Sequence, residues 1–170
     1  FALAARKGAP IGFEASVGGT IPIIRAIREG LVANRLHRMY GILNGTCNFI
    51  LTRMDKEQVT FEHALKEAQA AGYAEADPGL DIDGVDTAHK AAILASLACG
   101  APVSMGSVSV EGIRGLAKAD MEYARELGYR IKLLAVIKCE NGEVEVRVHP
   151  ALIPADSLLA SVHGVFNAVM

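Results

Sequence analysis

Ile131-Lys-Leu-Leu-Ala-Val-Ile-Lys-Cys-Glu-Asn-Gly-Glu-Val-Glu-Val-Arg-Val148 reads as two strands folded back on each other. The turn falls at Glu140-Asn141-Gly142-Glu143, and Asn-Gly is a pair that two-residue hairpin turns favour. Working upstream, residues 117–127 read as a helix and 103–113 as a strand. Residues 84–98 form a strongly apolar helix closed by Gly100. Thr60 is an N-cap for a helix over 61–71, with Glu62 in its first turn. Asn44-Gly45-Thr46 makes a tight turn into a helix over 47–56, and 36–43 alternates as a half-covered strand does. Pro22 and Gly30 bracket a helix in the expected order, after a short apolar strand over 11–17. Helices mixed with hairpin-joined strands argue for an α+β domain: a mixed sheet with helices packed on one face. Residues 1–170 are read as one domain.

The bulk numbers narrow the function classes. A net charge of −2, no basic run and 5% aromatic residues give nucleic-acid binding little support. Hydrophobic residues make up 51% of the chain, and mean hydropathy is +0.28. No run approaches the ~18 apolar residues a membrane helix needs, so the apolar surplus is expected to face a partner subunit or another domain. Phe1 and Met170 both fall mid-pattern, and the chain is expected to be truncated at both ends. Cys47, Cys99 and Cys139 are odd in number and each sits in apolar context, which reads as buried free thiols in a reducing cytosol. The five histidines have no zinc-site spacing. No G-x-G-x-x-G turn exists, so a complete dinucleotide (Rossmann) domain is not expected within these residues.

The chemistry concentrates between Gly72 and Lys90. Glu75, Asp77, Asp81, Asp83 and Asp86 precede a lysine on an otherwise apolar helix. A calcium loop of the EF-hand type needs Gly sixth and Glu twelfth. Counting from Asp81 puts Gly84 fourth and Ala92 twelfth; counting from Asp77 puts Ile82 sixth and Ala88 twelfth. Neither register works. Two readings stay open. In one, Asp83 caps the following helix and Asp86 complements its dipole. In the other, Asp86 and Lys90, four apart on one helical face, belong to a polar substrate site where a lysine exchanges a proton with a hydroxyl.

The segment Gly72–Lys90 fits, throughout, a pattern close to G-[YF]-x-E-x-D-P-x-x-D-[IL]-x-G-x-D-x-x-x-K, and in this it resembles homoserine dehydrogenase. Glu14-Ala-Ser-Val-Gly-Gly-Thr-Ile-Pro22 and Gly41-Ile-Leu-Asn-Gly-Thr-Cys-Asn48 match in the same order; the resemblance fades after about residue 115. It implies the substrate and dimerisation domain of a two-domain dehydrogenase. Lys90 would be the acid/base at the substrate oxygen. Glu75 and Asp86 would bind the homoserine amino and hydroxyl groups, with Asp81 in the same cluster and Thr46 in a turn lining the pocket. Gly72 would approach the nicotinamide of NADP or NAD, held mainly by a domain outside these residues. Glu14, with the carbonyls of Val17, Gly19 and Ile21, would hold a monovalent cation, sodium by its hard oxygen donors.

The implied reaction interconverts L-homoserine and L-aspartate 4-semialdehyde, on the route to threonine, methionine and isoleucine. The setting would be a cytoplasmic homodimer, with no nucleic-acid or membrane partner. The isolated chain is expected to lack turnover of its own. A non-catalytic dimerisation or amino-acid-binding fragment is the alternative.

Overall fold

The computed structural model describes residues 2–170. The chain opens with helix α1 (Ala2–Lys7) and crosses an irregular stretch holding a 3-10 turn at Glu14–Ser16. Where the sequence predicts a strand over 11–17 there is none: the segment pairs with no described strand, and β geometry without a ladder leaves its backbone unsatisfied. The predicted helix before Gly30 splits into α2 (Ile23–Arg25) and a π-helical turn at Ala26–Gly30. Strand β1 (Arg38–Ile42) leads into α3 (Gly45–Glu57), then α4 (Phe61–Ala70), which Thr60 caps by accepting from the His63 N–H. The acidic segment contains a short helix, α5 (Gly79–Ile82), and runs into α6 (Val85–Cys99), closed by left-handed Gly100.

The strand expected over 103–113 contracts to a 3-10 turn at Met105–Ser107 and strand β2 (Ser109–Val110). Helix α7 (Lys118–Glu126) follows. The opening hairpin is then realised as β3 (Tyr129–Glu140) and β4 (Glu143–Pro154), longer at its far ends than predicted. Glu140 pairs with Glu143. Asn141 and Gly142 between them have φ of 54° and 81°, the double positive φ of a type I′ turn. Pro150 and Pro154 fall in β4 beyond its short pairing with β2 at Arg147 and Val148, where that edge needs no N–H donor. A short β5 (Ala168–Val169) pairs with β1.

The sheet order is β2-β4-β3-β1-β5, with β2 parallel to β4 and the other pairs antiparallel. This is the expected mixed sheet. Period-two alternation on β3 sends Leu133, Ala135 and Ile137 into the main core with α3, α4 and α6. Leu134 and Val136 point to the other face, where Ile42, Ile153, Leu159 and Ala160 form a smaller cluster. The helices therefore cover one face, and the chain after β4 partly covers the other.

One cysteine expectation is overturned. Cys99, at the end of α6, is bonded to Cys139, near the end of β3, with their Cα atoms 5.6 Å apart. They lie 40 residues apart, and only the packing of α6 across β3 brings them within disulfide reach. Cys47 alone is a buried free thiol. Among the described residues, no helix is long and apolar enough to cross a membrane.

Candidate functional site

The acidic segment lines a cavity of about 310 Å³ with Gly72, Tyr73, Glu75, Asp77, Pro78, Leu80, Asp81, Asp86 and His89. Its floor is held by three elements. Asn44 has extended backbone (φ −124°, ψ 114°) and caps α3, its Oδ1 accepting the Cys47 N–H at 2.8 Å. The Asn44 Nδ2 donates to Asp81 Oδ1 at 2.7 Å, on α5, and to Asp86 Oδ2 at 2.8 Å, on α6. Lys90, one turn beyond Asp86, donates from Nζ to the same Oδ2 at 2.6 Å and to the Leu43 carbonyl at 3.2 Å. Both side chains of the Lys90–Asp86 pair remain partly open to solvent (25% and 31%), and Asp86 lines the cavity.

Thr46, which is buried, donates its hydroxyl to the Tyr73 carbonyl at 2.7 Å and so ties the rim of the cavity to α3. Phe49 and the Tyr73 ring stack at a tilt, 5.0 Å between centroids, behind it. Cys47 donates from Sγ to the Asp81 carbonyl at 3.1 Å. Burial pushes that thiol well above its ordinary range, and the charges of Asp81, Asp86 and Asp83 push it further. It is held as a protonated donor, not a nucleophile.

The five carboxylates do not act together. Glu75 is exposed on the rim, and its carboxylate makes no hydrogen bond or ion pair with the described residues. Asp77 accepts the Gly79 N–H at 3.2 Å and starts α5. Asp83, expected to cap α6, does not: Gly84 takes the cap position at φ 83°. Asp83 instead receives a bidentate fork from Arg114, both bonds 2.8 Å, and that guanidinium holds its carboxyl below the usual range. Asp83 is not among the residues that line the cavity. Asp86 does sit in the first turn of α6, where its charge suits the helix dipole. The helix-start reading therefore holds for one of its two acids.

Gly72 has φ 76°, and nothing lies within 4 Å of where a side chain there would begin. That open space on the cavity rim suits the close approach of a flat ring. Glu14, Val17, Gly19 and Ile21 lie apart from the cavity. Glu14 accepts the N–H groups of Ile24 and Arg25 at 2.8 and 2.9 Å, which uses two of a carboxylate's roughly four lone-pair sites. The Ile21 carbonyl accepts the Ile23 N–H at 2.8 Å. Gly18 and Gly19, both at positive φ, bend the loop between them. Among the described residues, no group of three His, Cys, Asp or Glu side chains could hold a metal, so any ion here would rest on backbone carbonyls beside the one Glu14 carboxylate.

Sequence reading singled out the acids and Lys90 but missed Asn44, which it took for a turn residue, and His89 on the cavity wall. An Asn ahead of an apolar-periodic run is also an N-cap signal, and that signal could have found Asn44.

The site is thus a lysine paired to a helix carboxylate beside an acidic cavity, on a mixed-sheet domain. The homoserine dehydrogenase family model matches residues 22–170, and the chain belongs to that family. It is 55% identical to the homoserine dehydrogenase of Pseudomonas aeruginosa over 170 residues, all of this chain and 39% of that protein. It is 53% identical to that of Neisseria gonorrhoeae over 99% of this chain and 39% of the relative. The crystal structure of a homoserine dehydrogenase from Thiobacillus denitrificans superposes with a TM-score of 0.96 at 52% identity, covering 99% of this chain and 39% of that one. A hyperthermophilic archaeal homoserine dehydrogenase mutant in complex with NADPH matches with a TM-score of 0.79 at 33% identity, over 99% of this chain and 47% of that one. This chain thus spans about 39% of the length of the curated relatives it matches.

Proposed function

We propose that this chain supplies the substrate site and the acid/base of a complete homoserine dehydrogenase, which interconverts L-aspartate 4-semialdehyde and L-homoserine. The observation that carries the reading is the 2.6 Å Lys90–Asp86 pair at the wall of the acidic cavity. Bound NADP or NAD supplies or accepts the hydride. In the reductive direction, negative charge grows on the carbonyl oxygen, and Lys90 Nζ delivers a proton there. In the oxidative direction the neutral amine of Lys90 removes the hydroxyl proton. Glu75, Asp81 and Asp86 carry the charge to hold the substrate ammonium and hydroxyl. Thr46 keeps the rim in place through Tyr73, and Gly72 leaves room for the nicotinamide ring.

Three further assignments belong to the same proposal. A monovalent cation, sodium, is held by the remaining lone pairs of Glu14 with the carbonyls of Val17, Gly19 and Ile21. The complete enzyme is a cytoplasmic homodimer; the pairing of two copies is supported by the exposed Leu158 and Phe166 in the chain that partly covers the second sheet face. The 1–170 chain acts as one catalytic and dimerisation domain.

The test is an assay of the complete enzyme containing residues 1–170. Aspartate semialdehyde should drive oxidation of NADPH, and L-homoserine should drive reduction of NADP. An enzyme that binds nucleotide yet turns over neither substrate contradicts the reading.

A further inference from the structure

We infer that Asn44 is a positioning residue for this chemistry, holding Asp81 and Asp86 in one orientation so that Asp86 fixes Lys90 at the substrate; the inference rests on the proposed dehydrogenase function. An asparagine amide has one acceptor and two N–H donors. Because the Asn44 Oδ1 is committed to the Cys47 N–H at 2.8 Å, the amide cannot be turned over, and both Nδ2 hydrogens face the acids. Asn44 is only 5% exposed, so water does not replace these bonds when they are lost.

The arrangement has a consequence at Asp86. Its Oδ2 receives both the Asn44 amide and the Lys90 ammonium, which leaves Oδ1 for a substrate group. Asp81 and Asp86 approach the same nitrogen and repel each other. A donor between them offsets that repulsion, and a neutral donor does so without cancelling the negative charge that attracts a substrate ammonium. The amide also joins α3, α5 and α6 at one point, so the spacing of the acids is set by the helix cap itself.

A role confined to capping α3 makes a different prediction, because Asn, Asp and Ser are comparable N-caps. Asn44→Asp keeps the cap and the shape but replaces the double donor with a third carboxylate. Asn44→Ser keeps the cap and deletes the donors without adding charge. Both variants are made in the complete enzyme and assayed in L-homoserine oxidation against wild type. The expected result is a fall in kcat on the order of 10²-fold for each, as for a misplaced reacting group, with the KM for NADP unchanged. Wild-type kcat in Asn44→Ser, or in a folded Asn44→Asp, overturns the inference; if Asn44→Asp does not fold, Asn44→Ser decides alone. An inactive wild-type enzyme overturns the dehydrogenase reading first and the role of Asn44 with it.

Discussion

Lys132 is 3% exposed on β3 and makes no ion pair among the described residues. Its ammonium donates to Asn48 Oδ1 at 3.0 Å and to the Val162 carbonyl at 2.5 Å. Asn48 in turn donates to the carbonyls of Val162, Gly164 and Phe166. Together the two residues lash the chain after β4 onto α3, where the Val165 carbonyl passes so close to Gly45 that any side chain there would meet it at 2.7 Å. Burial pulls the Lys132 pKa down to about 8 from 10.5. Between these values the unfolded chain holds a proton that the folded one has released, so folding stability rises with pH across that window, and below it the burial cost is full and independent of pH. Urea unfolding from pH 7 to 10 should show wild type gaining roughly 2 kcal/mol relative to Lys132→Met. Parallel pH profiles for the two proteins would contradict this. The sequence marks Lys90, a lone cation in an apolar helix following a run of acids. It does not mark Lys132, which looks like one more polar residue in an alternating strand; its partners, Asn48 and the Val162 carbonyl, lie 84 residues upstream and 30 downstream.

At the scale of elements, the long hairpin and the helices with their own caps were legible, because Asn141-Gly142, Thr60 and Gly100 act locally. The segments before Gly30 and after Gly100 were less so, because their shape is set by distant partners. Residues 109–113 show why. Only Ser109 and Val110 pair in register with β4, after which Glu111 N–H reaches the Val148 carbonyl and Ile113 N–H reaches the Ile82 carbonyl at 2.7 Å. This stretch fastens the end of the acidic segment to the sheet. Gly112 lies against it so tightly that a Cβ would sit 2.2 Å from the Ile82 carbonyl oxygen and 2.4 Å from the Asp83 Cα. Both obstacles are backbone and cannot rotate away. Gly112→Ala is therefore expected to cost about 1–3 kcal/mol or more and, by moving α5, to raise the KM for homoserine. Thermal unfolding and homoserine titration of the complete enzyme check it; an unchanged melting temperature would show that the segment yields.

For the whole molecule, a mixed sheet carries its helices on one face and joins the cap of α3 to α5 and α6 behind one acidic cavity. The three motifs read from sequence end up in two places. Residues 41–48 and 72–90 meet behind the cavity, through Asn44 and the Leu43 carbonyl, while the Glu14 loop stands apart and braces α2. No spacing rule could have separated them, since that division depends on how the helices cross the sheet. The account stands on Lys90 passing a proton at the substrate oxygen in a complete dehydrogenase built around this domain. Steady-state turnover of Lys90→Ala in that enzyme tests it most directly. The predicted result is a loss of about 10²–10⁴-fold in kcat, with thermal stability and homoserine binding retained. Turnover close to wild type in that variant would contradict the account.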